Sequence, residues 1–179
     1  MNHELVKVCF RNGVFEECSM KPAIIFYSYS GITRRIAEKI QKECGGDLIE
    51  VRSKENYSAI TAYTVGCLRA RRESGDPIIP ERIDVSGYDI LVIGTPVWAW
   101  KPSPAINAAI KAIHGSEGKS AVIYATCGSQ AGDTLAVMKK ALAARNIQVT
   151  GECSFTRRET LDESRIKSLI TMIKSLDPV

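Results

Sequence analysis

Few histidines, no paired cysteines and no long apolar stretch mark this chain of 179 residues, and each shortage removes a class of function. The two histidines, His3 and His114, stand too far apart to suggest metal ligation, so no metal site is expected. His114 precedes Gly115 at the end of a helical pattern, where contact with the helix dipole is the expected role. Six cysteines (9, 18, 44, 67, 127 and 153) include no CxxC pair. Their irregular spacing predicts reduced thiols in a cytosol, not a disulfide framework or a zinc site. Apolar runs such as Ile90–Ile93 are far too short to span a bilayer, so no membrane partner is expected. No charged-then-apolar leader with a cleavage site opens the chain, which predicts a cytoplasmic protein. The Asn56-Tyr57-Ser58 glycosylation sequon would then go unused. A formal charge of +4, with bases scattered among acids, is mild for nucleic-acid binding, and none is expected. No repeat or low-complexity linker appears, and the length suits one domain with a substantial core.

What is present is alternation. From residue 23 onward, short apolar runs alternate with helical patterns. The first strand is expected at 23–27, followed by a helix over 32–44 that stops at Gly45-Gly46. A second strand at 47–51 leads to a long crossover, with a helix over 57–73 broken at Gly75-Asp76-Pro77. The third strand is expected at 89–94. Ser103-Pro104 then caps a helix carrying Ile106, Ile110 and Ile113 on one face. The fourth strand, 120–126, precedes a helix with Leu135, Met138 and Leu142 inward, and the fifth lies at 147–155. A last helix covers 162–176. This pattern predicts an α/β doubly wound fold on a five-stranded parallel sheet. Strands one, three and four are continuously apolar, as central strands should be, while two and five carry polar residues, as edges can. The predicted order is 2-1-3-4-5. Ligands bind such sheets beyond the carboxyl ends of the strands, where the winding reverses between strands one and three.

Residues 1–19 sit apart from this frame. Asn12-Gly13 between apolar stretches is a hairpin signal, yet Met20-Lys21-Pro22 leads into the first strand as a natural start would. We treat 1–19 as an N-terminal appendage (a hairpin, a tail or an over-extended reading frame) and 20–179 as the domain.

Two loops fall at the expected switch point, and a third follows the next strand. In the first, Ser28-Tyr29-Ser30-Gly31-Ile32-Thr33 joins a buried strand to a helix start with no gap. The first amides of a helix have no internal partner and the dipole adds positive charge there, so this is an anion site with added hydroxyls. It has no P-loop lysine and no GxGxxG, which turns the reading from nucleoside triphosphates and dinucleotides to a phosphomonoester. A helix cap beside a solvated turn is the simpler alternative. In the second loop, Thr95-Pro96-Val97-Trp98-Ala99-Trp100, two tryptophans offer flat apolar area. One is expected to be structural and the other to face a ligand. In the third, Cys127-Gly128-Ser129-Gln130-Ala131-Gly132-Asp133, glycine-exposed amides can bond a heterocycle's edge, and Cys127 is expected to be a small buried hydrophobe.

Together these loops resemble those of the flavodoxin family, and the resemblance runs from about residue 22 to the end. SYSGIT matches the family's hydroxyl-x-hydroxyl-glycine-x-threonine phosphate loop, and GTPVWAW and ATCGSQAGD stand where that family holds the flavin ring. The match looks closest to short flavodoxin-like proteins, because strand five runs uninterrupted. The resemblance implies FMN, with Ser28, Tyr29, Ser30, Gly31, Ile32 and Thr33 on its phosphate. It places Thr95, Pro96, Val97, Trp98, Ala99 and Trp100 on one side of the isoalloxazine, and Cys127, Gly128, Ser129, Gln130, Gly132 and Asp133 on the other. A response-regulator receiver is excluded, since Gly94-Thr95 and Tyr27-Ser28 stand where it needs acids. Three roles stay open. The first is an FMN electron carrier serving redox partner proteins, and the second an FMN-dependent NAD(P)H oxidoreductase acting on quinones or similar acceptors. The third, a module that lost its flavin, is disfavoured by retention of all three loops. Flavodoxins are usually strongly acidic and this chain is basic. Arg69, Arg71 and Arg72 form a cluster able to meet a nucleotide phosphate or an acidic partner, although a solvated helix end is the plainer account.

Overall fold

The computed structural model describes residues 8–11, 14–17 and 20–176. Its core is a parallel sheet of β1 (Pro22–Phe26), β2 (Asp47–Glu50), β3 (Ile90–Trp98), β4 (Ser120–Cys127) and β5 (Gln148–Thr156). The order is 2-1-3-4-5, as the strand compositions predict. Period-two alternation divides the side chains of the central strands between two faces. Ala23, Ile25, Leu91, Ile93, Ala121 and Ile123 enter one core, while Ile24, Phe26, Ile90, Val92, Val122 and Tyr124 enter the other. Each face is covered by helices, which is why these strands are apolar throughout. Helix α1 (Ile32–Cys44) contributes Ile36, Ala37 and Ile40 to the second core, beside Ile166, Leu169, Ile170 and Ile173 of a C-terminal helix over Glu163–Lys174. The edge strands are half-exposed, and β5 alternates exposed with partly buried positions.

The crossover after β2 departs from one regular helix. Helix α2 is a single run built from Ala59–Thr61, a π segment at Ala62–Gly66, and Cys67–Arg71. Next along the chain, α3 (Pro104–Ala112) starts as its sequence predicts. The Ser103 hydroxyl accepts from the Ile106 amide at 3.4 Å, and Pro104 occupies the first turn. Helix α4 (Thr134–Ala143) buries Met138 and Leu142, and α5 is the C-terminal helix already noted. His114 stands at the end of α3, directly after its C-cap residue Ile113. With Ile113 it forms a two-residue parallel bridge to Ile83-Asp84. Backbone pairing of Val8–Arg11 with Val14–Glu17 is antiparallel. The expected Asn12-Gly13 turn and residues 1–7, 18 and 19 lie outside the described residues. Among the described residues no helix is long and apolar enough to cross a membrane.

Candidate functional site

Strand β1 delivers the first loop. After Phe26 the chain leaves the ladder, with the Tyr27 amide donating to the Gly94 carbonyl at 3.2 Å. The Ser28 hydroxyl accepts from the Arg34 amide at 3.2 Å, so one unpaired donor of the α1 start is met within the loop. Gly31 is the N-cap residue at φ +83°, and it brings no side chain to the amides that follow. A Cβ there would meet nothing within 4 Å, and Tyr29, Ser30 and Gly31 are exposed. The turn is therefore an open, glycine-capped helix start flanked by hydroxyls, a geometry that receives anions.

The second loop is tighter than its sequence suggests. Beyond the strand end expected at Gly94, β3 runs on to Trp98 and turns back as Lys101-Pro102, with Val97 opposite Pro102 and Trp98 opposite Lys101. The two residues between, Ala99 (φ +49°) and Trp100 (φ +65°), both take left-handed backbone. Two-residue hairpin turns of this hand normally carry Asn-Gly, because other L-residues are strained there by about 1 kcal/mol or more each. Such strain survives only where neighbours enforce it. Here the Asp133 amide donates to the Trp100 carbonyl at 3.0 Å, and Lys101 Nζ sits 3.3 Å from an Asp133 carboxylate oxygen. The third loop passes so close that a Cβ on Gly132 would lie 2.4 Å from that of Trp100.

One tryptophan is buried, as the structural role expected of it requires, and the other is exposed. Trp98 is 8% exposed and edge-packed by Tyr27, Tyr29 and Tyr57 at centroid distances of 6.0, 5.7 and 5.2 Å, with Gly66 of α2 against its ring. Trp100 is 59% exposed. It lines a recess of about 370 Å³ with Arg71, Ala99, Lys101, Gly132 and Asp133. A second recess, of about 440 Å³, opens between Ser28, Tyr29, Glu50 and Tyr57.

Contacts join all three loops. Thr33 and Thr126 share a buried hydroxyl–hydroxyl bond of 2.8 Å, linking the α1 start to the end of β4. Beneath it the Tyr124 hydroxyl donates to the Thr33 carbonyl at 3.1 Å. Burial pushes that phenol's pKa far upward, so it remains a donor at any working pH. Tyr29 meets Trp98, and Trp100 meets Gly132 and Asp133, which closes the circuit. Thr33 and Thr95 are buried, and their hydroxyls are engaged by Thr126 and Ser103 respectively. What they offer a ligand is the placement of their loops. Cys127 is buried as anticipated; its thiol lies 3.5 Å from the Phe155 carbonyl, and burial raises its pKa. Gly128, Ser129 and Gln130 are exposed, and a Cβ on Gly128 would meet nothing within 4 Å, so this turn is open too. Pro96, Val97 and Ile32 are half-buried. An open hydroxyl-lined anion site beside an exposed indole and an open glycine turn suits a flat ring carrying a phosphate.

Several supporting residues escape sequence reasoning. Asp76, buried after the crossover, accepts from Ser53 Oγ at 2.9 Å, Tyr57 OH at 2.9 Å and Arg69 at 3.0 Å. Arg69 also pairs with Glu55 at 3.1 Å, so it is an internal tie and not part of an open basic cluster. Burial, then the bond to Asp76, pushes the Tyr57 phenol up to about 12, so it stays a donor in the range where proteins are handled. The hub therefore seats Tyr57 against Trp98. Its nearest sequence signals were Gly75-Asp76-Pro77, legible only as a break, and a lone glycine, Gly66, inside a helical pattern. Asp76→Ala is expected to lower stability by about 2 kcal/mol through three stranded donors. Urea denaturation measures this loss, and red-shifted tryptophan emission should accompany it; an unchanged midpoint would contradict the assignment.

A family model described as Flavodoxin matches residues 21–152 of the 179. No curated protein sequence matches the chain. Among solved structures, a flavoprotein in complex with FMN from Lactobacillus acidophilus superposes with a TM-score of 0.65 at 21% identity, covering 84% of this chain and 99% of that one. Two-electron reduced flavodoxin from Megasphaera elsdenii gives 0.54 at 16% identity, covering 86% and 98%. A WrbA-like flavodoxin from Agrobacterium tumefaciens gives 0.56 at 15% identity, covering 89% and 100%. At these identities the superpositions establish the fold, and the family model establishes the kinship: this chain belongs to the flavodoxin family.

Proposed function

We propose that this protein is an FMN-dependent one-electron carrier, and that residues 20–179 form its cofactor-binding domain. The cofactor is FMN, in keeping with the family and with the FMN complex of the Lactobacillus acidophilus relative. When bound, it supplies the redox chemistry; the chain binds, orients and tunes. The observation that carries the reading is the joining of three loops by the Thr33–Thr126 bond and the Trp100–Asp133 contact. In this reading Ser28, Tyr29, Ser30, Gly31, Ile32 and Thr33 hold the phosphate. Thr95–Trp100 flank one side of the ring, with Trp98 fixed inside and Trp100 outward. Cys127–Gln130, Gly132 and Asp133 flank the other.

Negative charge gained on reduction is disfavoured by apolar walls and nearby carboxylates. Around Trp100 the carboxylates are neutralised. Lys101 lies 3.2 Å from Glu73 and 3.3 Å from Asp133, and those two acids, Glu73 foremost, hold its ammonium pKa above the ordinary value. Arg71 lines the same recess. The midpoint potential for the second electron is therefore expected to be less depressed than in strongly acidic flavodoxins, as read by anaerobic redox titration. A value at the family's low extreme would contradict this.

A second reading, an NAD(P)H oxidoreductase, draws on that same arginine beside an exposed indole. Anaerobic addition of NADH or NADPH to the FMN-loaded protein separates the two. The carrier reading predicts no rapid loss of flavin absorbance, and rapid stoichiometric bleaching would replace it with the enzyme.

A further inference from the structure

Helix α2 carries the largest concentration of exposed apolar side chains in the described molecule. Ile60, Tyr63 and Leu68 are 77%, 81% and 50% exposed, and Val65 is also exposed. Solvent-facing residues this apolar on one short run mark an interaction surface. Within α2 the Cys67 amide donates to the Ala62 carbonyl, the i→i+5 bond of the π segment. The other flank of α2 is committed to the protein, with Gly66 on Trp98 and Arg69 on Asp76 and Glu55. Arg71 and Arg72 end the run, and Arg71 reaches the recess of Trp100, so the apolar face is continuous with the candidate site.

Charge says what fits there. Six acids at the carboxyl edge of the sheet are matched within the protein, Glu50 by Arg34 and Arg52, Glu55 and Asp76 by Arg69, Glu73 and Asp133 by Lys101, and Glu159 by Arg165, while a seventh, Asp162, is held by Ser164. Among the described residues Arg35, Arg71, Arg72, Arg157 and Arg158 have no carboxylate within ion-pair distance, although all lie at or beside that edge. This edge is complementary to a partner that brings negative charge. We propose that the exposed face of α2, Ile60, Tyr63 and Leu68 flanked by Arg71 and Arg72, docks an acidic redox protein. This rests on the electron-carrier reading and names the chemistry of its partner.

The probe is a plant-type [2Fe–2S] ferredoxin, a small acidic one-electron donor, fluorescently labelled and titrated with the full chain in the presence of FMN. Binding in 20 mM NaCl is expected to weaken at least tenfold in 300 mM, as for steered association of opposite charges. Arg72→Glu should weaken low-salt binding about tenfold and Tyr63→Ser severalfold, with FMN affinity unchanged in both. Basic cytochrome c, the control, should bind less well than the ferredoxin. The proposal is overturned by salt-insensitive binding, by preference for cytochrome c, or by no effect of either variant. It is equally overturned by a wild-type dimer that Tyr63→Ser makes monomeric, since a second copy would then cover the face. Because ferredoxin binding is read separately from FMN uptake, failure of the cofactor reading and failure of the docking proposal give different results.

Discussion

Gly94→Ala should lower stability by about 3 kcal/mol, at the upper end of what overpacking costs. A Cβ on Gly94 would lie 2.2 Å from Cζ and 2.4 Å from the hydroxyl oxygen of Tyr124. That ring is fully buried in the second core and edge-packed on Phe155 at 6.5 Å, so it has nowhere to retreat. Relief requires Tyr124 to withdraw, which breaks its bond to the Thr33 carbonyl and disturbs the Thr33–Thr126 link above it. FMN affinity should therefore fall together with stability, although Gly94 touches no proposed ligand group. Urea denaturation measures the first and flavin fluorescence titration the second. Gly94→Ala/Tyr124→Leu should recover part of the stability by removing the clash, the non-additivity expected of residues in contact. A loss below about 1 kcal/mol in the single variant would show that the strand and ring can part without consequence, contrary to this account.

Gly31→Asp should weaken FMN about a hundredfold and riboflavin hardly at all. The site is sterically open and aspartate is among the few residues that tolerate left-handed backbone, so the fold should persist. Its carboxylate would compete for the α1 amides as an N-cap and repel the phosphate. Unit charges 4 Å apart interact by about 4 kcal/mol at an effective dielectric of 20, and part of that survives solvent screening at an exposed turn. Riboflavin, which lacks the phosphate, feels neither effect. Equal losses for both ligands would mean that the variant distorts the ring site. No loss for FMN would place the phosphate elsewhere.

The sheet was legible because its signals are local and redundant. Apolar runs such as Ala23–Tyr27 and Ile90–Ile93, and the polar interruptions of β2 and β5, give both strand identity and order. The phosphate loop was legible for a related reason: a strand, a hydroxyl-rich turn and a helix start are consecutive in sequence. The Ala99-Trp100 hairpin was not, since neither residue favours the backbone it adopts and the enforcing contacts come from Gly132 and Asp133, more than thirty residues on. Nor was the π segment of α2, where Gly66 packs on Trp98. Arg69 reads as an open cation in sequence because its partner Asp76 lies in the break that follows the helix. Local chemistry announces elements; the contacts that bind one loop to another are long-range and leave little trace in a single sequence.

Backbone amide shifts of the ¹⁵N-labelled full chain, followed during FMN addition, test the central claim most directly. One saturable set of changes is expected, spanning Ser28–Thr33, Ala99–Lys101 and Gly128–Asp133, all with the same midpoint. Changes confined to one of these turns, or gathered elsewhere on the molecule, would contradict that claim.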